Sequence, residues 1–276
     1  EVLKSDNVDM VVAAMVGVAG LVPVYHAVKS GKHVLLANKE SYVVAGELLN
    51  NLSKENQSTI FPIDSEHSAI HQCLQGVSNK DSVSRLILTG SGGPFLNKDV
   101  NDFSSITPAE AIAHPVWSMG DKISVDSSTM MNKCLEIIEA RWLFDNENID
   151  VLIHPEGIIH SLVEFTDNSI IAQLSIPDMK IPIAYGLGFR EKINSGSTFK
   201  KPKDLSKYLY YRGLIYLKSF QSDTMDVNFS LLQIATDCFM EDVELQSNFY
   251  KKSNICFSQK RFFVQNKIVP PSPCLQ

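Results

Sequence analysis

The stretch VDMVVAAMVGVAGLVPVYHAVKSGKHVLLANKES, residues 8–41, decides the fold class. It opens with a short apolar run from Val8 to Val16, which predicts a buried strand followed by a glycine-containing turn. A segment with helical spacing, Leu21 to Lys29, ends shortly before Gly31, a residue type common just after a helix. A second apolar run, Lys32 to Ala37, completes a strand–helix–strand unit. Such short links between alternating elements predict a parallel sheet.

The same alternation continues along the chain. A helix through about Lys54 and a third strand, Ser58 to Ile63, follow the opening unit. We therefore predict an α/β fold that begins with a partial doubly wound, Rossmann-like domain over residues 1–63. Further apolar runs predict an α+β catalytic domain with a flap over residues 64–188, and residues 189–276 read as a linker and a poorly patterned, helical tail.

Composition excludes several classes of protein. The chain has 276 residues, 44% of them hydrophobic, and a net charge of −6, which argues against general nucleic-acid binding. No apolar run reaches the length that a membrane span needs, and we expect no signal peptide. The five cysteines are scattered without a CxxC motif, which favours a reducing compartment and offers no zinc site. Because the chain lacks an initiator Met and a G-x-G-x-x-G fingerprint, we expect it to begin inside a longer protein or to bind no dinucleotide.

Asp64-Ser65-Glu66-His67 directly follows the third predicted strand. On an extended strand end, Asp64 and Glu66 would point the same way, and a divalent cation would relieve the repulsion between their carboxylates. The alternative is that Asp64 and Ser65 only cap a helix. His67 and His71 have the i, i+4 spacing of a zinc pair, but no third nitrogen or sulfur ligand is nearby. We therefore expect these two histidines on the helix surface or in a polar contact.

The stretch KISVDSSTMMNKCLEIIEARW, residues 122–142, combines polar and apolar positions in an unusual way. Its Ile-Ser-Val run favours a strand, and Ser127 to Thr129 are candidate N-caps of a following buried helix. Asn132, Lys133 and Glu136 then project to one side of that helix. A helix start with hydroxyls and a lysine suits a phosphate, and a buried carboxylate one turn later suits a cation. A capped core helix with one Lys–Glu pair is the alternative.

Three further segments carry candidate binding groups. The glycine-rich turn from Gly90 to Phe95, with Ser91, is typical of a phosphate-binding loop. The segment His114 to Gly120 contains Trp117 and suggests either a mobile lid or a packed loop anchored by that Trp. Asn38-Lys39-Glu40 falls at the carboxyl end of a strand, where ligands bind in parallel sheets, although it is also a common helix start.

Five motifs in order carry a resemblance to a known family. They are LLANKES (35–41), PIDSEHSAI (62–70), LTGSGGPF (88–95), HPVWSMG (114–120) and the stretch 122–142. From about Asp9 to Tyr185 the chain resembles the 1-deoxy-D-xylulose 5-phosphate reductoisomerases, the NADPH- and metal-dependent enzymes of the non-mevalonate isoprenoid pathway. It departs from the family at Cys134, where Gly is usual, and at Glu156-Gly157, where Gln-Ser is common. The family's Asn-Ala-Ala-Asn-Glu-like motif is absent near the end.

The resemblance implies a set of site residues. The implied metal ligands are Asp64, Glu66 and Glu136, which with His114 form the implied catalytic set. The implied substrate-binding residues are Lys39, Ser65, Glu66, Ser91, His114, Trp117, Ser127, Asn132, Lys133 and Glu136, with the phosphate near Ser91, Ser127, Asn132 and Lys133. Asn38, Glu40 and Gly120 are implied to line the NADPH site.

The resemblance also implies an activity. It predicts an oxidoreductase that uses NADPH and Mn²⁺ or Mg²⁺, with Co²⁺ as a further option, to convert 1-deoxy-D-xylulose 5-phosphate to 2-C-methyl-D-erythritol 4-phosphate. The partner is a small phosphosugar, with no nucleic acid and no membrane. A complete chain would form a homodimer in the bacterial cytoplasm or the plastid stroma. Two alternatives stay open, a binding-only remnant without reductase activity and a metal-dependent phosphosugar lyase or isomerase that needs no nicotinamide.

Overall fold

The computed structural model describes residues 3, 5, 7–188 and 191–197. This part contains two sheets with helices packed against them. The strands are β1 (Met10–Ala13), β2 (His33–Leu36), β3 (Thr59–Pro62), β4 (Val83–Gly90), β5 (Ile149–Ile153), β6 (Ile159–Phe165) and β7 (Ile170–Leu174). The α-helices are α1 (Leu21–Lys29), α2 (Lys39–Glu55), α3 (Ser65–Cys73), α4 (Pro108–Ile112), α5 (Asp121–Ser128), α6 (Met131–Phe144) and α7 (Lys180–Leu187).

The first sheet has the order β1-β2-β3, and both strand pairs are parallel. The prediction of a parallel sheet is thus confirmed, and α1 has the predicted bounds. It ends ahead of Gly31, whose φ of +69° is a left-handed conformation that glycine adopts without strain. All three strands point their carboxyl ends to the same edge of the sheet, which is the edge where α2 and α3 begin.

Helices cover both faces of this sheet because its strands are apolar on both sides. Val34 and Leu36 pack with α1 and α2, while Leu35 faces the other way and packs with Tyr185 of α7. The predicted α/β class with a Rossmann-like first part is confirmed. The first sheet ends at Pro62, close to the proposed domain boundary at residue 63.

The second sheet has the order β5-β4-β6-β7 and is mixed. β4 pairs in parallel with β5 and antiparallel with β6, and β6 and β7 form an antiparallel pair. Leu86, Leu88 and Val163 point from it into a core shared with α3 and α6. Because α6 also packs against α2, with Gly46 facing Trp142, it links the second sheet to the edge where the first sheet's strands end.

The predicted strand at the start of the 122–142 stretch is wrong. Ile123 to Val125 lie in α5, where Lys122 binds Asp126 at 2.7 Å and the Ser124 hydroxyl donates to the Gly120 carbonyl oxygen at 3.0 Å. These contacts override the β propensity of the two β-branched residues. The predicted N-caps are wrong as well: Ser127 and Ser128 close α5, and α6 begins after Met130 without a side-chain cap.

The predicted tail falls largely outside the described residues, so its helical character stays a prediction. Across the described ranges, no helix combines the length and apolar character that crossing a bilayer requires. Cys73 and Cys134 are both buried.

Candidate functional site

Asp64 and Glu66 lie at the start of α3. Asp64 is the N-cap, and its carboxylate accepts the backbone N–H of Glu66 at 3.2 Å. Ser65 and Glu66 form the first helical turn, so the prediction of an extended strand end is wrong, because an acidic cap and the helix dipole favour the helix here. The cap alternative therefore holds for Asp64, yet its side chain also reaches the cluster described next.

Three carboxylates converge from α3 and α6. Asp64, Glu66 and Glu136 each offer an oxygen atom, and these atoms lie within 4.8 Å of one another. Glu136 is 1% exposed, while the other two are half-buried. Oxygen atoms at such separations are close enough to share one hard divalent cation.

Two buried lysines neutralise this cluster in the described structure. Lys39 at the start of α2 places its Nζ 2.7 Å from Asp64, 2.9 Å from Glu136 and 2.8 Å from the Asn132 side-chain oxygen. Lys133 on α6 lies 2.8 Å from Glu66 and also pairs with Glu136. Burial alone would lower the pKa of each lysine, but the surrounding carboxylates outweigh burial and raise it. Both ammonium groups therefore stay charged.

The carboxylates differ in how readily they ionise. Burial, and then the negative charge of Glu136, raise the pKa of Glu66 to about 7. Burial would also raise the pKa of Asp64, but the ammonium of Lys39 and the ring of His67 outweigh it and hold that pKa well below its usual range. Ionising Glu66 beside Glu136 is therefore costly, and a bound cation would favour the ionised form.

His67 and Glu139 are part of this region and were not identified from the sequence. His67 is 0% exposed and its ring makes buried polar contacts, so of the two expected positions the polar contact holds for it and the helix surface does not. Its Nδ1 lies 3.1 Å from a carboxylate oxygen of Glu139 on α6. Burial alone would lower the pKa of His67, but Glu139 outweighs it and raises that pKa to about 9. The signal available in the sequence was the spacing of Glu139, one helical turn after Glu136.

The glycine-rich turn after β4 packs against the groups proposed for phosphate. A Cβ added at Gly93 would lie 2.8 Å from the Ser127 carbonyl oxygen, and one at Gly90 would lie 3.1 Å from the Lys133 side chain. The Ser91 hydroxyl is 3.0 Å from Nε2 of His114 and accepts the Gly93 N–H at 3.2 Å. The glycines therefore let Ser91, Ser127 and Lys133 share one region of the site.

His114 begins the predicted flap, which has no regular structure between α4 and α5. Its Nδ1 accepts the backbone N–H groups of Val116 at 3.2 Å and Trp117 at 2.9 Å. Since Nδ1 accepts, the neutral ring carries its proton on Nε2 and donates it to Ser91. Burial lowers the pKa of His114, which favours this neutral form. The Trp117 ring lies 6.1 Å from the ring of His160, between centroids.

The residues implied for NADPH lie at the carboxyl edge of the first sheet. Asn38 caps α2, and its amide donates to the carbonyl oxygens of Met15 at 2.6 Å and Gly17 at 2.8 Å. Glu40 binds Lys122 of α5 at 2.6 Å, and Gly120 is the N-cap of α5. The three implied residues therefore lie along α2 and α5, on elements adjoining the carboxylate cluster.

Fold and site together define a class of protein: an α/β chain whose buried carboxylate cluster and two lysines adjoin the carboxyl edge of a parallel sheet. Two family models match it. Residues 1–46 match 1-deoxy-D-xylulose 5-phosphate reductoisomerase, and residues 60–144 match the C-terminal domain of the same enzyme. The chain belongs to the 1-deoxy-D-xylulose 5-phosphate reductoisomerase family.

Individual relatives agree with this assignment. The reductoisomerase of Geobacter metallireducens is 56% identical over 200 residues, which are 72% of this chain and 51% of that protein. That of Chlorobium phaeobacteroides is 53% identical over 71% of this chain and 51% of its own length. The chain thus spans about half the length of the curated relatives it matches.

Solved structures are similar as well. A DOX-P reductoisomerase in complex with NADPH, fosmidomycin and magnesium superposes with a TM-score of 0.82 and 37% identity, covering 100% of this chain and 68% of that one. The enzyme from Zymomonas mobilis, in complex with NADPH, gives a TM-score of 0.78 and 35% identity, covering 96% of this chain and 65% of that one.

Proposed function

We propose that this chain carries the metal- and substrate-binding site of a 1-deoxy-D-xylulose 5-phosphate reductoisomerase. The reaction is the NADPH-dependent conversion of 1-deoxy-D-xylulose 5-phosphate to 2-C-methyl-D-erythritol 4-phosphate in non-mevalonate isoprenoid biosynthesis. The observation that carries the proposal is the convergence of Asp64, Glu66 and Glu136 beside Lys133. Family membership adds the substrate.

The carboxylate cluster fits a divalent cation. Its donor atoms are all carboxylate oxygens, which suit Mg²⁺ and Mn²⁺ (and Co²⁺) and not a structural zinc. Bound there, the metal ion supplies a Lewis acid for the ketone and neighbouring hydroxyl oxygens of the substrate. Asp64, Glu66 and Glu136 would hold the ion. Lys39 contacts Asp64, and Ser65 contacts Glu66. Once the metal ion binds these two carboxylates, both residues can form hydrogen bonds with substrate hydroxyl groups.

The phosphate would bind where the glycine-rich turn meets α5 and α6. Lys133 supplies a buried positive charge, and Asn132 and Ser127 supply polar groups from the same stretch. Ser91 already accepts two hydrogen bonds, from His114 and from the Gly93 N–H, so its own hydroxyl hydrogen is left to donate to a phosphate oxygen. This hydrogen-bond pattern supports Ser91 and His114 as substrate-binding residues.

The nucleotide would bind at the carboxyl edge of the first sheet, beside Asn38, Glu40 and Gly120. The Asn38 amide binds the loop after β1 through the Met15 carbonyl oxygen. In this loop Met15 and Val16 are 50% and 70% exposed, and such an exposed apolar surface suits the flat ring of a nucleotide. NADPH supplies the hydride. The flap from His114 to Met119 would close over the substrate with Trp117 packed on it and exclude water from the site.

We also propose a homodimer for the complete protein. Family resemblance supports it, and so do Ile170, Ile171 and Leu174 on the edge strand β7, which are 45%, 46% and 42% exposed. Light scattering of the complete protein tests it: twice the mass of its chain supports a dimer, and the mass of a single chain contradicts it. The bacterial cytoplasm or plastid stroma is the proposed location, which fractionation of the source cells tests.

The activity test is a turnover assay on the 276-residue chain. With 1-deoxy-D-xylulose 5-phosphate and Mn²⁺, we expect NADPH absorbance to fall and 2-C-methyl-D-erythritol 4-phosphate to form. Glu136→Gln should abolish both, and the matched control His71→Gln on α3 should retain them. Metal-dependent binding of fosmidomycin without NADPH oxidation would instead support the binding-only alternative, and substrate consumption without NADPH would support a lyase or isomerase.

A further inference from the structure

A buried acid–imidazole pair lies beneath the carboxylate cluster, and the proposed chemistry does not use it. His67 of α3 and Glu139 of α6 are 0% and 1% exposed, and Nδ1 of the histidine lies 3.1 Å from the glutamate oxygen. The pair bridges the two helices that supply the carboxylates Asp64, Glu66 and Glu136.

The imidazole ring reaches the residues that carry the candidate metal ligands. Its Nε2 lies 2.9 Å from the backbone carbonyl oxygen of Glu136, and its Nδ1 lies 3.6 Å from the Asp64 carboxylate. In the sequence His67 directly follows Glu66. A rotation of this ring would therefore disturb Asp64 and the backbone of Glu136 through direct contact, and the first turn of α3, which carries Glu66, would shift with Asp64.

The orientation of the ring is fixed by its neighbours. The ring nitrogens lie between two oxygen atoms: Nε2 donates to the Glu136 backbone carbonyl, and Nδ1 lies in ion-pair range of the Glu139 carboxylate. The ring of Phe144 lies 6.2 Å away, between centroids, and limits rotation from another side. A buried charged pair is rarely kept for stability, because apolar residues of similar volume often do as well. The contacts of the ring with Asp64 and the Glu136 backbone suit a role in orienting those residues.

We propose that Glu139 and His67 are positioning residues that hold Asp64, Glu66 and Glu136 in the arrangement that binds the divalent cation. Glu139 orients the imidazole, and the imidazole holds the Glu136 backbone and the start of α3. The inference rests on the proposed metal site. Partners of this kind, one step removed from a metal, typically change its affinity about 10- to 100-fold when they are replaced.

The test is calorimetric titration of Mn²⁺ into the 276-residue chain and two variants at Glu139. Glu139→Leu removes the acceptor for the His67 ring and should weaken Mn²⁺ binding about 10- to 100-fold. Glu139→Gln keeps an acceptor oxygen and should recover most of that affinity. Glu156→Gln is the matched control, because Glu156 lies 3.1 Å from His154 in a similar pair away from the cluster; its Mn²⁺ affinity should equal that of the unaltered chain.

Thermal unfolding of each variant separates positioning from a purely structural role. A structural role would lower the unfolding temperature of Glu139→Leu while its folded form binds Mn²⁺ normally, and that result would overturn the proposal without touching the proposed function. Absence of Mn²⁺ binding by the unaltered chain would overturn both. If the Leu variant does not fold, NMR of the unaltered chain decides. Adding Mg²⁺ should shift the ring resonances of His67 and leave those of His71 unchanged. Unchanged ring resonances of His67 would overturn the proposal.

Discussion

Adding one methyl group at Gly157 tests how the flap is held against the second sheet. Gly157 follows β5 and has a φ of +62°, and a Cβ built on it would lie 2.9 Å from Cγ1 of Val116. Val116 belongs to the flap, whose backbone is bound to His114. An alanine at position 157 must therefore either push Val116 outward or shift the turn after β5.

The expected cost has two parts. The left-handed backbone costs an alanine about 1–2 kcal/mol. Crowding against Val116 adds about 1–3 kcal/mol, the usual range for overpacking. Gly76 is the matched control, because its φ is +83° and nothing lies within 4 Å of a Cβ added there. Gly76→Ala should thus show the backbone cost alone.

Urea denaturation of both variants measures the difference. Gly157→Ala should lower the free energy of unfolding by more than Gly76→Ala does. In a Val116→Ala background the excess should vanish, because the crowded methyl groups are gone, and a double-mutant cycle gives the coupling energy directly. Equal costs for the two glycine variants, or a coupling energy of zero, would refute the contact between the flap and the turn.

Three further predictions follow from packing, charge and protonation. Gly46→Ala should lower the free energy of unfolding, measured in urea, by about 1–3 kcal/mol, because the added Cβ would clash with the ring of Trp142. Alanine favours a helix over glycine, so a gain in stability would contradict this prediction. Lys133→Gln should weaken fosmidomycin binding at least about 30-fold in calorimetry, since losing a buried charged partner costs about 2 kcal/mol or more, and unchanged affinity would count against the phosphate site. Burial lowers the pKa of His114. The hydrogen bonds that the neutral His114 ring accepts from the flap backbone are therefore complete above pH about 6.5, the ordinary pKa of histidine. They are lost as the pH falls through the lowered pKa, because a protonated ring has no acceptor nitrogen. Acrylamide quenching of Trp117 in a Trp142→Phe variant should rise on acidification, and a pH-independent signal would refute this.

The sequence was sufficient where an element follows a regular apolar pattern. The runs that form β1 and β2 and the helical spacing of α1 lead directly to the parallel sheet, because burial on both faces requires continuous apolar residues. The same holds for Asn132, Lys133 and Glu136, whose spacing places them on one side of α6, where they contact Lys39 or each other. These features depend on local periodicity.

Sequence patterns failed where contacts distant along the chain decide the backbone. The Ile-Ser-Val run favours a strand, yet Lys122 anchors α5 by binding Glu40 of α2, which lies 82 positions earlier in the chain. The break between α5 and α6 occurs at Met130 with a φ of +62°, and no glycine or asparagine marks it. Such a break depends on the packed surroundings of the two helices and has no local signature.

The pair of His67 and Glu139 was missed for a related reason. Each residue looks like a solvent-facing polar position in its own helix. Only the packing of α3 on the face of α6 that bears Glu139 brings the two within 3.1 Å and buries them. The spacing within one segment predicts Asp64 and Glu66 as metal ligands, but it gives no indication of the buried pair formed by His67 and Glu139 on two different helices.

The most direct test of the central claim is calorimetric titration of fosmidomycin into the 276-residue chain with and without Mn²⁺. If Asp64, Glu66 and Glu136 hold a cation beside a phosphate site, binding requires Mn²⁺ and falls sharply in Glu136→Gln but not in the control His71→Gln. Binding of equal strength without Mn²⁺, or equal effects of the two substitutions, would contradict the account.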